Sequence, residues 1–189
     1  EVPASKRSPE MGVQCFNVAT AYTAWRAIAF GEPVISRIVT LTGNDRANLR
    51  FARNTATTSG ASSGNSLAIT ARFGKKSGTT TTSEFEAESL ERAVRAAEEI
   101  ARLSPDNPEL MPALPQQTYT PSKAFFDDVQ NATPEWRASS VEPAIAVSKK
   151  SDVVSAGFVE TQAAFQAVAN SKGLFAYDRF TAADYNLTS

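Results

Sequence analysis

The stretch Glu88-Ser-Leu-Glu-Arg-Ala-Val-Arg-Ala-Ala-Glu-Glu-Ile-Ala-Arg-Leu103 decides the fold class. Leu90, Ala93, Val94, Ala97, Ile100 and Ala101 recur at helical spacing and form one apolar stripe. Glu88 and Arg92, Glu91 and Arg95, and Glu98 and Arg102 stand four apart with the acid first, the favourable order for exposed pairs. Acids lead, Arg102 closes, and Ser104-Pro105 ends the helix. A helix with one dry stripe needs a flat apolar surface to lie on, and the preceding segments offer one. In Asn65–Phe73, Leu67, Ile69, Ala71 and Phe73 alternate with Ala68, Thr70 and Arg72, the pattern of a half-buried strand. Gly74-Lys75-Lys76 reads as a hairpin turn and Ser77–Ser83 as the return strand.

Further upstream, Ser36–Thr42 reads as a strand ended by the turn residues Gly43-Asn44-Asp45. Leu49–Arg53 alternates, Asn54–Ser59 could continue as an edge strand, and Gly60-Ala-Ser-Ser-Gly64 reads as a flexible turn. Val18–Phe30 reads as a short helix behind a loose polar arm. Downstream, Ser104–Pro121 carries five prolines, too many for regular structure, and reads as a semi-rigid linker. A second helix starts with Thr133 as N-cap and Pro134 at its first position. Its expected face is Trp136, Ser140, Ala144 and Val147, with a kink at Pro143. Val153–Thr161, Gln162–Ala169 and Leu174–Phe180 read as strands, with a turn at Asn170–Gly173. The fold class is α+β: an antiparallel sheet packed by amphipathic helices, followed by a second helix-plus-hairpin unit. The expected divisions are an arm and helix over 1–33, an α+β domain over 34–104, a proline-rich linker over 105–132, and the start of a middle region over 133–189. The chain stops at Ser189 in what reads as a strand, so that region is expected to be cut short.

Composition narrows the function classes. Charge is nearly balanced, 19 basic residues against 20 acidic, so no nucleic-acid footprint is visible. The longest apolar run, Val18–Phe30, is too short to span a bilayer and is broken by Arg26. The single cysteine, Cys15, rules out an internal disulfide framework and fits a reducing compartment, so a cytoplasmic location is expected. The chain has no histidine, which removes the usual zinc ligand and the usual base for a Ser or Cys nucleophile.

The remaining constellations dissolve on inspection. Phe73-Gly-Lys-Lys-Ser-Gly-Thr-Thr80 resembles a phosphate loop, but both lysines precede Gly78 where the motif needs lysine after the second glycine. No lysine follows a serine by three. Asp127-Asp128 and Glu98-Glu99 read as solvated acids, because neighbours in sequence point different ways on a helix. Asn131-Ala-Thr and Asn186-Leu-Thr match a glycosylation pattern that arises often by chance. No residue is assigned a catalytic, cofactor-binding or metal-binding role.

A resemblance supplies what the residues alone do not. Asn48-Leu-Arg-Phe-Ala-Arg-Asn54, Thr57-Thr-Ser-Gly60, the strand to Phe73-Gly74, the Ser-Leu-Glu-Arg-Ala helix and Ala101-Arg-Leu-Ser-Pro-Asp-Asn-Pro-Glu109 resemble the N-terminal region of the TldD/PmbA family. This family carries the label "modulator of DNA gyrase" and is regarded as a group of candidate metalloproteases. Ala156-Gly-Phe-Val-Glu160 and Ala169-Asn-Ser-Lys-Gly-Leu174 resemble its middle region. The resemblance implies a two-part protein working as a homo- or heterodimer on peptides, with no nucleic acid or membrane partner. In the catalytic type, zinc is held by a His-Glu-x-x-x-His motif downstream of the region matched, outside this chain. The implied role is an N-terminal, non-catalytic portion that covers the substrate chamber and contributes to subunit pairing. The alternative is a zinc-less partner subunit or a peptide-binding or structural module.

One cysteine and no histidine leave only carboxylates as a ligand set, and carboxylates suit harder cations better than zinc. The purified chain is expected to retain no stoichiometric zinc after dialysis, as read by metal analysis; one zinc per chain would contradict this reading.

Overall fold

The computed structural model describes residues 36–189. The arm and helix expected over residues 1–33, with Cys15, lie outside them. Five strands form one antiparallel sheet: β1 (Ser36–Ala52), β2 (Thr55–Phe73), β3 (Lys76–Thr82), β4 (Ala156–Asn170) and β5 (Phe175–Thr188). Their order across the sheet is β3-β2-β1-β4-β5. Helices α1 (Ala87–Leu103), α2 (Asp127–Gln130) and α3 (Pro134–Lys150) complete the described fold. The antiparallel α+β class is as expected. The later hairpin β4–β5, however, extends the first sheet, because β4 pairs with β1 from Ile38↔Asn170 to Phe51↔Gly157.

The strands are longer than local turn signals imply. Gly43-Asn44-Asp45 is no turn. β1 runs straight through it, paired on both sides, with Gly43 opposite Asn65 and Phe165. A Cβ at Gly43 would overlap the Phe165 ring and the Asn65 side chain, so the glycine is there for close approach across the sheet. Gly60–Gly64 likewise lies inside β2. Val153–Thr161 and Gln162–Ala169 merge into the single strand β4. The real turn between β1 and β2 is the residue pair Arg53-Asn54, with φ of 51° and 58°. Two positive φ values make the tight turn whose twist matches the flanking strands. Asn54 holds it in place: its Oδ1 accepts from Ser155 N (2.8 Å) and Ser155 Oγ (2.7 Å), and its Nδ2 donates to Val153 O (2.8 Å).

Alternation along the strands puts both helices on one face. Val39, Leu41, Leu49 and Phe51 of β1, Leu67, Ile69 and Ala71 of β2, and Val159, Ala167 and Ala169 of β4 are buried on that side. Helix α1 covers one half through Leu90, Ala93, Ala97 and Ala101. Helix α3 covers the other through Val141, which packs with Leu49, Phe51 and Val159. The expected α1 stripe holds except at Ile100, which is 45% exposed. The reason is the closeness of α1 to β3. A Cβ on Gly78 would sit 2.5 Å from Ala97 O and 2.8 Å from Ile100 C, so the helix rests on strand backbone and only alanine fits beneath it.

The surface pairs appear as the spacing predicts: Glu88–Arg92 (3.9 Å), Glu91–Arg95, and Glu98–Arg102 (3.7 Å). Glu98 is not the solvated acid expected. It turns inward to Arg37 Nη2 at 2.6 Å and ties the start of β1 to α1. The face expected for α3 is also corrected. Trp136 and Val147 are exposed, whereas Arg137, Val141 and Ser148 are buried. Apolar residues are spread around this helix, so spacing alone could not orient it. Its start is as expected, with Thr133 Oγ1 accepting from Trp136 N at 3.2 Å.

From Ser104 to Phe126 the chain has no regular structure and crosses the opposite, polar face at one end of the sheet. Arg72 Nη1 donates to Met111 O (3.0 Å), and Asn170 Nδ2 donates to Leu114 O (2.8 Å). It then turns around the β5 edge, where Thr181 N donates to Ala124 O (2.9 Å) and Arg179 stacks on Phe125.

Leu90→Ala should cost about 2–5 kcal/mol, while Ile100→Ala and Glu91→Ala should each change stability by only about 0.5 kcal/mol. Gly78→Ala should cost about 1–3 kcal/mol or more, because strand and helix backbones must separate. Denaturant titration of the four variants checks this; equal losses at all positions would show that α1 is not seated as described.

Candidate functional site: a cleft between the two helices and an open strand edge

The two helices leave a gap over the middle of the sheet, and sequence explains why. The strand register stacks Ser63, Asp45 and Ala163 side by side, and beside them Ala61, Ala47 and Thr161. Small side chains at five of these six positions cannot fill the space between the helices. Phe165, opposite Gly43, bounds the gap toward α1; Leu49 and Val159 bound it toward α3. The result is a cleft of about 300 Å³, walled by Val129, Gln130, Ala132 and Arg137. That volume is at the small end of ligand-binding cavities.

Arg137 dominates the chemistry of the cleft. It is 4% exposed. Its Nη1 donates to Ala132 O (3.0 Å) and to Thr161 Oγ1 (3.1 Å), and that hydroxyl lies 3.5 Å from Ala47 O. Its Nε is buried without a partner, and no carboxylate pairs with it among the described residues. Desolvation lowers its pKa, with Glu135 opposing; an arginine starts so high that it stays charged at neutral pH. A buried cation among neutral acceptors is a costly arrangement. Asp45, on the neighbouring row of the floor, also has no ion-pair partner among the described residues. Periodicity could not find Arg137, because it reads as a polar residue on an exposed helix.

The second feature is an edge. β3 pairs with β2 only from Leu67 to Phe73. Among the described residues, no strand covers the outer side of β2 from Thr55 to Ser66, and Thr55–Gly64 is exposed throughout. This run consists only of Thr, Ser, Ala, Gly and Asn, which makes a polar, uncharged edge.

The other motifs take their bland readings. Gly74 has φ +59° in the β2–β3 hairpin turn, so Phe73–Thr80 binds no phosphate in the phosphate-loop manner. Asp127 and Asp128 open the short α2, exposed to water. Among the described residues no three of His, Cys, Asp or Glu are grouped to hold a metal. The described residues therefore offer no donor set that fits a zinc ion. No helix among the described residues is long and apolar enough to cross a membrane.

Residues 39–101 match the family model described as PmbA/TldA metallopeptidase domain 1. Over these residues the chain is similar to the first domain of that family. The TldD/PmbA-type fold continues beyond the matched residues. TldE from Thermococcus kodakarensis superposes with a TM-score of 0.74 over 88% of this chain and 38% of its own, at 16% identity. A candidate modulator of a DNA gyrase from Thermotoga maritima gives 0.74 over 87% and 37%, at 11% identity. At such identities the likeness is one of fold. One component of the ion-translocating oxidoreductase complex of Pasteurella multocida is 54% identical over 44 residues, which is 23% of this chain and 5% of that component. So short a match says nothing about the rest of that protein. This chain spans less than two fifths of the two solved relatives and about a twentieth of that curated one.

Thr161→Val removes one acceptor of Arg137 and leaves its Nη1 with a single bond. It should destabilise the protein by about 1–3 kcal/mol, measured by denaturant titration; an unchanged midpoint would mean that Arg137 is not held as described.

Proposed function

We propose that this chain is the N-terminal, non-catalytic portion of a TldD/PmbA-type metallopeptidase, shaping the substrate chamber and pairing with a second subunit of the family in the cytoplasm. The observation that carries this reading is the open edge of β2 from Thr55 to Ser66. An extended peptide or a partner strand can add to such an edge through main-chain hydrogen bonds, which accept any sequence. The run is polar and uncharged and carries no lysine or proline, two of the usual blocks to strand addition; its one bulge, at Thr57, lies near its start and leaves Thr58–Ser66 in regular register. The face opposite the helices suits a wet chamber wall, since it carries Thr40, Thr42, Asn44, Arg46, Asn48 and Gln162.

Peptide hydrolysis needs an activated water or nucleophile and a group that stabilises the developing oxyanion. With no histidine and no metal-holding cluster among the described residues, the zinc and its water belong to another segment or subunit. What this chain supplies is binding and exclusion of bulk water.

Two measurements test the reading. The chain alone should cleave no peptide, with or without added zinc; turnover abolished by replacing one residue of this sequence would overturn the non-catalytic role. Thr58→Lys with Ser62→Lys should leave stability within about 0.5 kcal/mol. The same pair should prevent association with a zinc-carrying member of the family, followed by light scattering. Unimpaired association would remove the edge from the account.

A further inference from the structure

The open edge of β2 and the cleft between α1 and α3 meet. Ala61 and Ser63 belong to the uncovered half of β2, and they also form one side of the cleft floor. Next to them in register come Ala47 and Asp45 of β1, then Thr161 and Ala163 of β4. On the far side α2 packs against β4 and β5, and Val129, Gln130 and Ala132 wall the cleft there. On the near side Ala61 and Ser63 are exposed, and among the described residues no strand lies beyond them. The cleft is thus a trough that opens sideways onto the strand edge. A group entering from that edge passes over Ser63 and reaches Asp45 on the next strand. It meets Arg137 only at the back, where Thr161 of β4 holds it. Asp45 is half-buried and has no ion-pair partner among the described residues.

We propose that the β2 edge selects extended peptides with a long basic side chain, arginine or lysine, opposite Ser63, its cation resting on Asp45 in the cleft. This rests on the reading that the edge accepts an extended strand, and it names the class of peptide. Directly paired residues share a face of the sheet, so a residue opposite Ser63 on an added strand points to the side of Ser63 and Asp45. Two strand spacings, about 10 Å, separate it from Asp45. An extended arginine reaches about 7 Å from its Cα and an aspartate about 3.5 Å. Adding a hydrogen bond of about 3 Å, the pair spans more than that gap and can arch over the small Ser63 side chain. Ala61 and Ala47 lie beside this path and offer apolar surface to the aliphatic stem. A short side chain cannot reach the carboxylate, and an acidic one meets like charge there. An aromatic ring could lie on the alanines but would leave Asp45 without a partner.

Blocked, dye-labelled, threonine-rich nonapeptides test this on the 189-residue protein, with binding read by fluorescence anisotropy. The central residue is arginine, norleucine, phenylalanine or glutamate. The arginine peptide should bind about tenfold more tightly than the norleucine peptide, the worth of one charge-assisted hydrogen bond. The glutamate peptide should bind most weakly. In Asp45→Asn the arginine peptide should fall to the norleucine value, while the norleucine peptide binds as it does to the unaltered protein. Equal binding of the arginine and norleucine peptides to the unaltered protein would overturn the inference and leave the open edge standing. Tightest binding by the phenylalanine peptide would do the same. If no peptide binds at about 1 mM, the edge is no acceptor of peptides, and the inference falls with that reading.

Discussion

The structure depends on one close contact: α1 lies directly on the backbone of β3 at Gly78. Ala97 and Ala101 of the helix have no bulk to hold it off, and Gly78 has no Cβ to push back. That contact seats Leu90 and Ala93 over Leu67, Ile69 and Ala71, and brings Glu98 to Arg37 at the start of β1. β1 pairs with β2 on one side and β4 on the other, so fixing its start sets the register of the strands on both sides of it. The helix therefore organises the sheet from one end. The other end relies on a smaller set, with Val141 on Leu49, Phe51 and Val159.

Functional consequences follow from covering the sheet in two pieces. Where α1 and α3 part, small residues on three strands leave the cleft with Arg137 and Asp45. Where β3 stops, the rest of β2 from Thr55 to Ser66 is left as an uncovered edge. Both features come from the mismatch between long strands and short covering elements. A sheet of shorter strands, capped by one helix, would have neither.

Sequence made the α1 half legible and misled in the other. The period of Leu90, Ala93, Ala97 and Ala101 and the alternation of Leu67, Ile69 and Ala71 need only local physics, and both appear in the structure. Gly43-Asn44-Asp45 and Gly60–Gly64 carry turn chemistry but lie inside strands, because pairing on one or both sides outweighs local preference. Arg53-Asn54 is an unremarkable pair by composition, and its turn is enforced by bonds to Val153 and Ser155, distant in the chain. The cleft could not be read at all, since Arg137, Asp45 and Thr161 meet only through strand register. Ile100 and Glu98 are misplaced by one step of helix rotation, a distance that spacing does not resolve when the seat is made of alanines.

The central claim is that β2 is two things in one strand, a buried half under α1 and an open half that can accept a partner strand. Amide hydrogen exchange along β2 tests it most directly. Every amide from Leu67 to Phe73 should be strongly protected, being paired on both sides. From Thr55 to Ser66 protection should alternate, with amides facing β1 slow and those facing outward near the rate of an unstructured chain. Uniform strong protection across Thr55–Phe73 would contradict the account, because it would mean the edge is already covered in the free protein.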